Sequence, residues 1–111
     1  MKLEGRGLRL RIYIGESDVC EGKNLYVAIV QAARKRGLAG ATVARGIMGF
    51  GAHSAIHKPR LLSLSQDAPI VIEIVDSEEK IRTFLPLLDE MVSEGMITTS
   101  EVEIVTYRAG R

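Results

Sequence analysis

Residues 69–75, Pro-Ile-Val-Ile-Glu-Ile-Val, restrict the possible folds of this chain more than any other stretch, because almost every position is apolar. A short run rich in β-branched residues predicts a strand, and a proline is tolerated at its first position. Successive side chains of a strand point to opposite faces of the sheet, so both faces of this strand carry apolar groups. We therefore expect a central strand that is covered on both sides.

Three further segments are predicted to be strands. Residues 8–15 and residues 101–107 alternate between apolar and other side chains, which is typical of strands with one buried face. Residues 40–48 are interpreted as a strand that runs into a cluster of glycines. For Leu61, Leu62 and Leu64 two interpretations remain, a short extra strand or the edge of a flap, because polar residues interrupt the apolar pattern there.

Two helices are predicted between these strands, each with an apolar stripe at a spacing of three or four residues. The first ends in a basic triplet followed by Gly37, which suits the left-handed position after a helix. The second has Asp76 or Ser77 as its cap. Pro86 is expected to kink it and Gly95 to end it. The stripes consist of Leu25, Ala28, Ile29, Ala32 and Ala33 in the first helix and of Ile81, Phe84, Leu85, Leu88 and Val92 in the second.

The order of elements is strand, helix, strand, strand, helix, strand within a single domain of residues 1–111. This is the arrangement of ferredoxin-like α+β sandwiches, in which a four-stranded antiparallel sheet carries both helices on one face. The other face has no helix, although the strand at residues 69–75 carries Ile70, Ile72 and Ile74 on one face and Val71 and Val75 on the other, so that whichever face is open is apolar. Leaving an aliphatic side chain in water costs about 1.5–3 kcal/mol relative to burying it, so we expect other subunits to cover this face.

The composition argues against several classes of protein. Fifteen basic and 14 acidic residues leave a formal net charge of +1, which gives no overall signal for binding nucleic acid or an anionic membrane. No window approaches the roughly 18 apolar residues of a membrane span, and the N-terminus has no signal-peptide core. Cys20 is the single cysteine, so neither an internal disulfide nor a Cys/His metal framework is expected. These features favour a cytoplasmic protein.

The segment most relevant to function is residues 45–60, where an apolar run ends in a cluster of glycines. Glycine adopts positive φ readily and lets a backbone approach a ligand closely. The cluster therefore permits either a sharp turn at the end of a strand or a cradle of backbone N–H groups for an anion. Its members are Gly46, Gly49 and Gly51.

The same segment carries side chains that suit either a metal or a phosphate. His53 and His57 lie four residues apart, so on a helix both could hold a metal, but a third ligand would have to come from another subunit or a distant segment. His57, Lys58 and Arg60 are better suited to a phosphate, because all three donate hydrogen bonds to its oxygens. No nucleophile is paired with a base in a recognisable order, so we do not expect an enzyme.

Gly-Phe-Gly at residues 49–51, preceded by Gly-Leu-Ala-Gly-Ala-Thr-Val at residues 37–43, resembles the second-strand signature of the PII nitrogen-regulatory proteins. Ile-Glu-Ile-Val at residues 72–75 resembles their third strand, and Arg-Ala-Gly at residues 108–110 resembles the Arg-Thr-Gly at the end of their core. The runs Gly-Ile-Met-Gly-Phe-Gly and Val-Ile-Glu-Ile-Val-Asp-Ser-Glu-Glu-Lys-Ile are still more similar to a widespread PII-like group, classified as a domain of unknown function. That likeness spans nearly the whole chain.

The resemblance implies a homotrimer with adenine-nucleotide sites in the clefts between subunits, and a flexible loop, about residues 52–65 here, that signals the state of the site. The implied ligand is ATP or ADP, with or without Mg²⁺, and no covalent cofactor is expected. A target protein is implied without being named, a membrane transporter or channel being one class, and nucleic acid is not expected. The nucleotide-binding positions predicted in this way or by the phosphate chemistry above are Thr42, Gly49, Phe50, Gly51, His57, Lys58, Arg60, Glu73, Val75 and Arg108.

The chain departs from the PII pattern at positions that would meet phosphates. The PII sequence Arg-Gln-Lys-Gly after Gly-Phe-Gly is Ala-His-Ser-Ala at residues 52–55, so two cations are missing. The loop before the last strand, residues 93–100, has lost its lysine, and the first of the paired arginines near the end is Thr106. We therefore assign phosphate contacts to residues 57, 58 and 60. A trimeric metal-binding or protein-interaction module without nucleotide sensing is the alternative.

Overall fold

A computed structural model describes residues 3–51 and 67–110 of the chain. The predictions for the loop, for both histidines and for the leucines at 61–64 fall outside these residues. The elements are β1 (Gly5–Gly15), β2 (Val19–Cys20), β3 (Lys23–Asn24), α1 (Leu25–Lys35), β4 (Thr42–Arg45), β5 (Pro69–Asp76), α2 (Glu78–Met91) and β6 (Met96–Ile104).

Four strands form one antiparallel sheet in the order β4-β5-β1-β6. The central pair is β1 and β5, as the apolar run at residues 69–75 predicts. β2 and β3 form a separate two-stranded hairpin that the sequence does not predict. The predicted ferredoxin-like α+β sandwich is therefore confirmed.

The hydrophobic core lies between one face of the sheet and the two helices. Alternate residues of β1 and β5 point into it, and Leu10, Ile12 and Ile72 have 0% of their surface exposed. The two predicted helical stripes supply the opposite wall. Their buried residues are Leu25, Ile29 and Ala33 in α1 and Ile81, Phe84 and Leu88 in α2.

The helix caps follow the chemistry expected from the sequence. After α1, the N–H of Gly37 donates to the Arg34 carbonyl and the N–H of Leu38 donates to the Ala33 carbonyl, both at 3.1 Å. Gly37 has a φ of +78°, so the helix ends in a Schellman motif. At the start of α2, the Ser77 hydroxyl accepts the N–H of Lys80 at 3.3 Å, which makes Ser77 the cap.

The predicted stop of the second helix at Gly95 is wrong. α2 continues through Pro86, ends at Met91 and is followed by an extended Val92. Gly95 instead forms the turn into β6, where it has a φ of +145° and where a Cβ atom would lie 2.5 Å from the Tyr13 carbonyl oxygen. The close approach of this turn to β1, rather than a helix end, requires the glycine.

The second strand is shorter than the predicted residues 40–48. β4 comprises only Thr42–Arg45, and its pairing with β5 closes where the N–H of Gly46 donates to the Pro69 carbonyl at 2.7 Å. A Cβ atom on Gly46 would lie 2.9 Å from the Pro69 ring, so this glycine allows the chain to turn tightly against β5.

The last strand begins earlier and ends earlier than the predicted residues 101–107. β6 comprises Met96–Ile104 because it pairs with β1 along most of the length of that strand. β1 itself begins at Gly5 instead of residue 8. The polar residues 98–100 conceal the start of β6 in the sequence, since both faces of this edge strand are largely exposed there and give little apolar alternation.

The face of the sheet opposite the helices, called the open face below, is apolar at its two ends and charged in its middle. Its residues alternate with the core residues along each strand and face one another in the strand register. Arg9, Arg11 and Glu73 form the charged middle. The apolar members are Tyr13, Ala44, Val71, Val75, Met96, Val102 and Ile104.

Candidate functional site

The structure brings the predicted residues Gly49, Phe50 and Gly51 to a cavity of about 150 Å³ at the start of β5. We call this the glycine cavity. β1 contributes Tyr13 to its wall, and the turn into β6 contributes Gly95. The other described lining residues are Ile14, Gly15, Asp18, Asp67, Ala68, Pro69, Ile70, Val71 and Glu94. The PII resemblance places the loop of residues 93–100 near the phosphates, but it does not single out Glu94 or Gly95 as site residues.

The predicted residues Thr42, Glu73 and Val75 line a second cavity, of about 320 Å³, toward the other end of β5. We call this the Glu73 cavity. Its remaining described lining residues are Leu3, Ala39, Gly40, Ala41, Ile104, Thr106 and Tyr107. The wall is mainly apolar or backbone, with one carboxylate and three hydroxyl groups, a composition that suits a flat heterocycle with a few polar edges.

Among the described residues, none lines both cavities. Val71 borders one and Val75 the other, and four residues of strand separate them by about 13 Å. Arg108 lines neither cavity but follows Tyr107 at the border of the second. Of the other predicted residues, those at 57, 58 and 60 fall outside the described part of the chain. A single subunit therefore does not bring the predicted set together.

Both ends of the segment between β4 and β5 are fixed to the end of β1. One carboxylate oxygen of Glu16 accepts the Arg45 guanidinium at 3.1 Å and the N–H of Ala68 at 3.3 Å. The Ala68 carbonyl in turn accepts the N–H of Glu16 at 2.8 Å. The hydroxyl of Ser17 donates to Asp67 at 2.8 Å. The residues that flank this segment, Arg45 on one side and Asp67 and Ala68 on the other, are therefore held in place by hydrogen bonds.

The glycine cavity combines a permissive backbone with acidic surroundings. Gly49 has a φ of +157°, which residues with side chains rarely adopt, and a Cβ there would lie 3.2 Å from the Pro69 ring. Phe50 is 71% exposed. The described lining residues include the carboxylates of Asp18, Asp67 and Glu94 but no lysine or arginine. A phosphate in this cavity would need cations from outside the described lining.

Three hydrogen bonds hold the loop of residues 37–41, which forms one wall of the Glu73 cavity. The Lys80 ammonium donates to the Gly37 carbonyl at 3.0 Å. The carboxylate of Asp76, which is fully buried, accepts the N–H of Ala39 at 2.9 Å. The Tyr107 hydroxyl donates to the Ala39 carbonyl at 3.2 Å. Sequence patterns do not reveal these contacts, because the partners lie 37 and more residues apart.

Glu73 is held from the open face by two arginines. Its Oε2 atom accepts the Nε–H of Arg11 at 3.3 Å and lies 3.6 Å from the Nε of Arg9. The pKa of Arg11 is raised from its ordinary value, by hydrogen bonding to the Tyr13 side chain first and to Glu73 second. The guanidinium therefore stays charged, and it orients a carboxylate that also lines the Glu73 cavity.

Two relatives resemble the chain over most of its length. A UPF0166 protein of Aquifex aeolicus (strain VF5) is 42% identical over 96 residues, which cover 86% of this chain and 90% of that protein. The UPF0166 protein MJ1524 of Methanocaldococcus jannaschii is 35% identical over 96 residues, covering 86% of this chain and 88% of that protein.

Two solved structures of CPII, a nitrogen regulatory PII-like protein from Thiomonas intermedia K12, share the fold. One, bound to ADP and bicarbonate, has a TM-score of 0.61 at 17% identity, covering 91% of this chain and 90% of that chain. The other, bound to ADP, AMP and bicarbonate, has a TM-score of 0.62 at the same identity and coverage. At such low identity the likeness concerns the fold alone.

No helix within residues 3–51 and 67–110 is long and apolar enough to span a membrane.

Residues 7–104 match the DUF190 family, described as uncharacterized ACR. The family match covers most of the chain and agrees with the UPF0166 relatives and with the fold. The chain is therefore a member of the DUF190 family, and it shares the fold of the PII-like protein CPII.

Proposed function

We propose that this protein is a trimeric PII-like regulator that binds an adenine nucleotide in the clefts between its subunits. The observation that carries the proposal is the division of the predicted site into two partial cavities at opposite ends of β5. Each cavity supplies what the other lacks. The glycine cavity offers backbone N–H groups for phosphate oxygens, and the Glu73 cavity offers a mainly apolar wall for a base.

A ring of subunits would join these halves. When two different patches of one chain meet in a head-to-tail contact, the contact repeats and closes into a ring if the rotation permits. In a ring of three, the glycine cavity of each subunit would face the Glu73 cavity of the next. Each cleft would then contain the glycines of one copy and Thr42, Glu73 and Val75 of its neighbour.

The open face supports assembly. It carries large apolar side chains that neither α1 nor α2 covers, and Tyr13 and Met96, which pair across the strands, are 37% and 60% exposed. Burying such side chains against another copy contributes about 25 cal/mol for each Å² of apolar surface removed from water. An isolated subunit would not gain this stabilisation, because its open face would remain in water.

The charges suggest where phosphates would be neutralised. Since carboxylates line the described part of the glycine cavity, the cations must come from nearby chain segments. We assign this role to His57, Lys58 and Arg60, which follow Gly51 closely in sequence, and to Arg108 of the adjacent copy. A divalent cation such as Mg²⁺ between the carboxylates and the phosphates would act in the same direction.

The CPII structures support the choice of ligand, because that protein has the same fold and was solved with ADP and with AMP. We propose binding rather than catalysis. The segment after β4 begins at the glycines, so a bound nucleotide would change the contacts at its base, and a target protein could detect the result.

The first test is ligand-linked thermal stability of the full chain with AMP, ADP and ATP, with and without Mg²⁺. A ligand at 100 times its Kd stabilises by about 2.7 kcal/mol, which raises the Tm measurably.

Arg108→Ala should weaken binding by about 1.5–3 kcal/mol if the guanidinium donates to the ligand. Arg82→Ala, which removes an exposed arginine of α2, is the matched control.

The proposal fails if no adenine nucleotide stabilises the protein at millimolar concentration. Stabilisation by Zn²⁺ alone that is lost in His53→Ala and in His57→Ala would instead favour the metal-binding alternative. Equal nucleotide affinity in the Arg108 and Arg82 variants would remove Arg108 from the site.

A further inference from the structure

The middle of the open face has more positive than negative charge. The carboxylate of Glu73 faces the guanidinium groups of both Arg9 and Arg11, which approach the same oxygen. Arg11 forms a hydrogen bond to it, whereas Arg9 remains at 3.6 Å and its Nε atom is buried without a hydrogen-bond partner. Among the described residues, one carboxylate is thus shared by two cations, and one positive charge in excess remains on this part of the open face.

Two hydroxyl groups flank the arginines on the same face. Ser100 is the register partner of Arg9, and Thr98 is the register partner of Arg11. Cross-strand partners have Cβ atoms about 4.5–5.5 Å apart and project to the same side of the sheet. Ser100 and Thr98 are both exposed, so their hydroxyls are accessible to a ligand that the arginines hold.

We propose that this part of the open face is a binding site for a small oxyanion, of the phosphate or sulfate class. The planar guanidinium fork of Arg9 would donate two parallel hydrogen bonds to oxygens of the anion, and Arg11 would add a second positive charge. Ser100 and Thr98 supply neutral donors at the rim. The oxyanion is either a free inorganic ion or the terminal group of a larger ligand.

The need for an anion becomes stronger if subunits cover this face. Removing an unpaired charge from water costs several kcal/mol unless a counter-charge accompanies it. In the trimer proposed above, the Arg9 of each subunit would be enclosed, and an anion would restore neutrality. A carboxylate of a neighbouring copy is the competing way to satisfy Arg9, and it would leave no room for an added ion. The site needs no nucleotide, so its test is separate from that of the proposed function.

The test is thermal unfolding of the full chain in phosphate, in sulfate and in chloride at matched ionic strength, without nucleotides. Phosphate and sulfate also stabilise proteins by exclusion from their surface, so the informative quantity is the difference between variants. In the parent protein, a specific site should give a Tm increase that saturates at low phosphate concentration. In Arg9→Gln this saturable increase should disappear. Arg6→Gln, which removes the same charge from the opposite face of β1, should retain it. By calorimetry, phosphate affinity should fall about tenfold or more in Arg9→Gln.

An equal response of the parent protein, Arg9→Gln and Arg6→Gln would overturn the proposal, as would the absence of any saturable response in the parent. If Arg9→Gln does not fold, Ser100→Ala decides, because it removes one donor and leaves the Arg9–Glu73–Arg11 cluster intact. Phosphate affinity unchanged in Ser100→Ala would then count against the site.

A second arm identifies the source of the anion. Nucleotide affinity is measured in Arg9→Gln and in the parent, with and without phosphate. Loss of nucleotide affinity in the variant, together with competition by phosphate, would mean that the oxyanion belongs to a larger ligand. If nucleotide affinity is equal in both proteins but Arg9→Gln no longer binds phosphate, the natural occupant of the site is a free inorganic ion.

Discussion

Asp76 connects one wall of the Glu73 cavity to the core of the protein. It is fully buried, and its two carboxylate oxygens accept the N–H groups of Ala39 at 2.9 Å and of Ser77 at 2.6 Å. A buried carboxylate is tolerated only when donors surround it, and here backbone donors from two elements do so. The same contacts join the end of β5 to the loop before β4 and to the start of α2.

Asp76→Asn should lower the free energy of unfolding by about 1.5–3 kcal/mol, because one acceptor oxygen becomes an N–H donor that faces another donor. Urea denaturation measures the change. Asp89→Asn is the control, since it makes the same chemical change at an exposed position of α2. A loss that is no greater for Asp76 than for Asp89 would mean that the loop does not depend on this carboxylate.

Glu73 shows why a residue in a candidate site need not have a single role. It lines the Glu73 cavity, and the two arginines of the open face hold one of its oxygens. The sequence resemblance marks this glutamate but gives no reason to connect it with Arg9 or Arg11. Only the register of β1 against β5, which places Arg11 opposite Glu73, makes that connection.

At the scale of elements, the fold was predictable where burial controls the pattern. The alternation in β1, the apolar run in β5 and the helical stripes all reflect contact with one core, so each element was predicted with the correct type. β6 was predicted as a strand but with its start at residue 101, too late, because residues 98–100 lie on an exposed edge strand. The prediction was wrong at Gly95, where the glycine is required by the close approach of the turn to the Tyr13 backbone, a contact distant in sequence.

For the candidate site, the PII resemblance selected residues that lie in cavity walls, the glycines at 49 and 51 in one and Thr42, Glu73 and Val75 in the other. Their binding of a nucleotide remains a prediction. The contributions of Glu94 and Tyr107 depend on how distant elements meet, which no local pattern encodes. The roles predicted for the residues at 57, 58 and 60 remain predictions.

The Glu16 side chain contacts both described ends of the connection between β4 and β5, which gives a test at this scale. Glu16→Ala should raise amide hydrogen exchange at Ala68 roughly five-fold, because a hydrogen bond of about 1 kcal/mol is lost. Exchange at Gly46 should rise as well, since Arg45 would lose the same anchor. Exchange in α1 should not change. Glu90→Ala, on the exposed surface of α2, is the control. Equal exchange in both variants would argue against the anchor.

At the scale of the whole molecule, the account depends on how two partial cavities become one site. They lie at opposite ends of β5, and their described linings have no residue in common. A binding site within one subunit would use only one of them, whereas a site between subunits would use both. The open face provides a reason for subunits to associate, and the excess positive charge on it provides a reason for an anion to accompany them.

Mixing two defective variants tests the central claim most directly. Gly51→Val would block the glycine cavity and Thr42→Phe the Glu73 cavity, so neither variant alone should bind nucleotide while both should remain trimers. If every cleft takes one cavity from each of two neighbours, each mixed trimer regains one intact cleft. Random mixing in equal amounts should then restore about one quarter of the binding capacity measured by calorimetry. No recovery in mixed trimers verified by mass spectrometry would contradict a site shared between subunits.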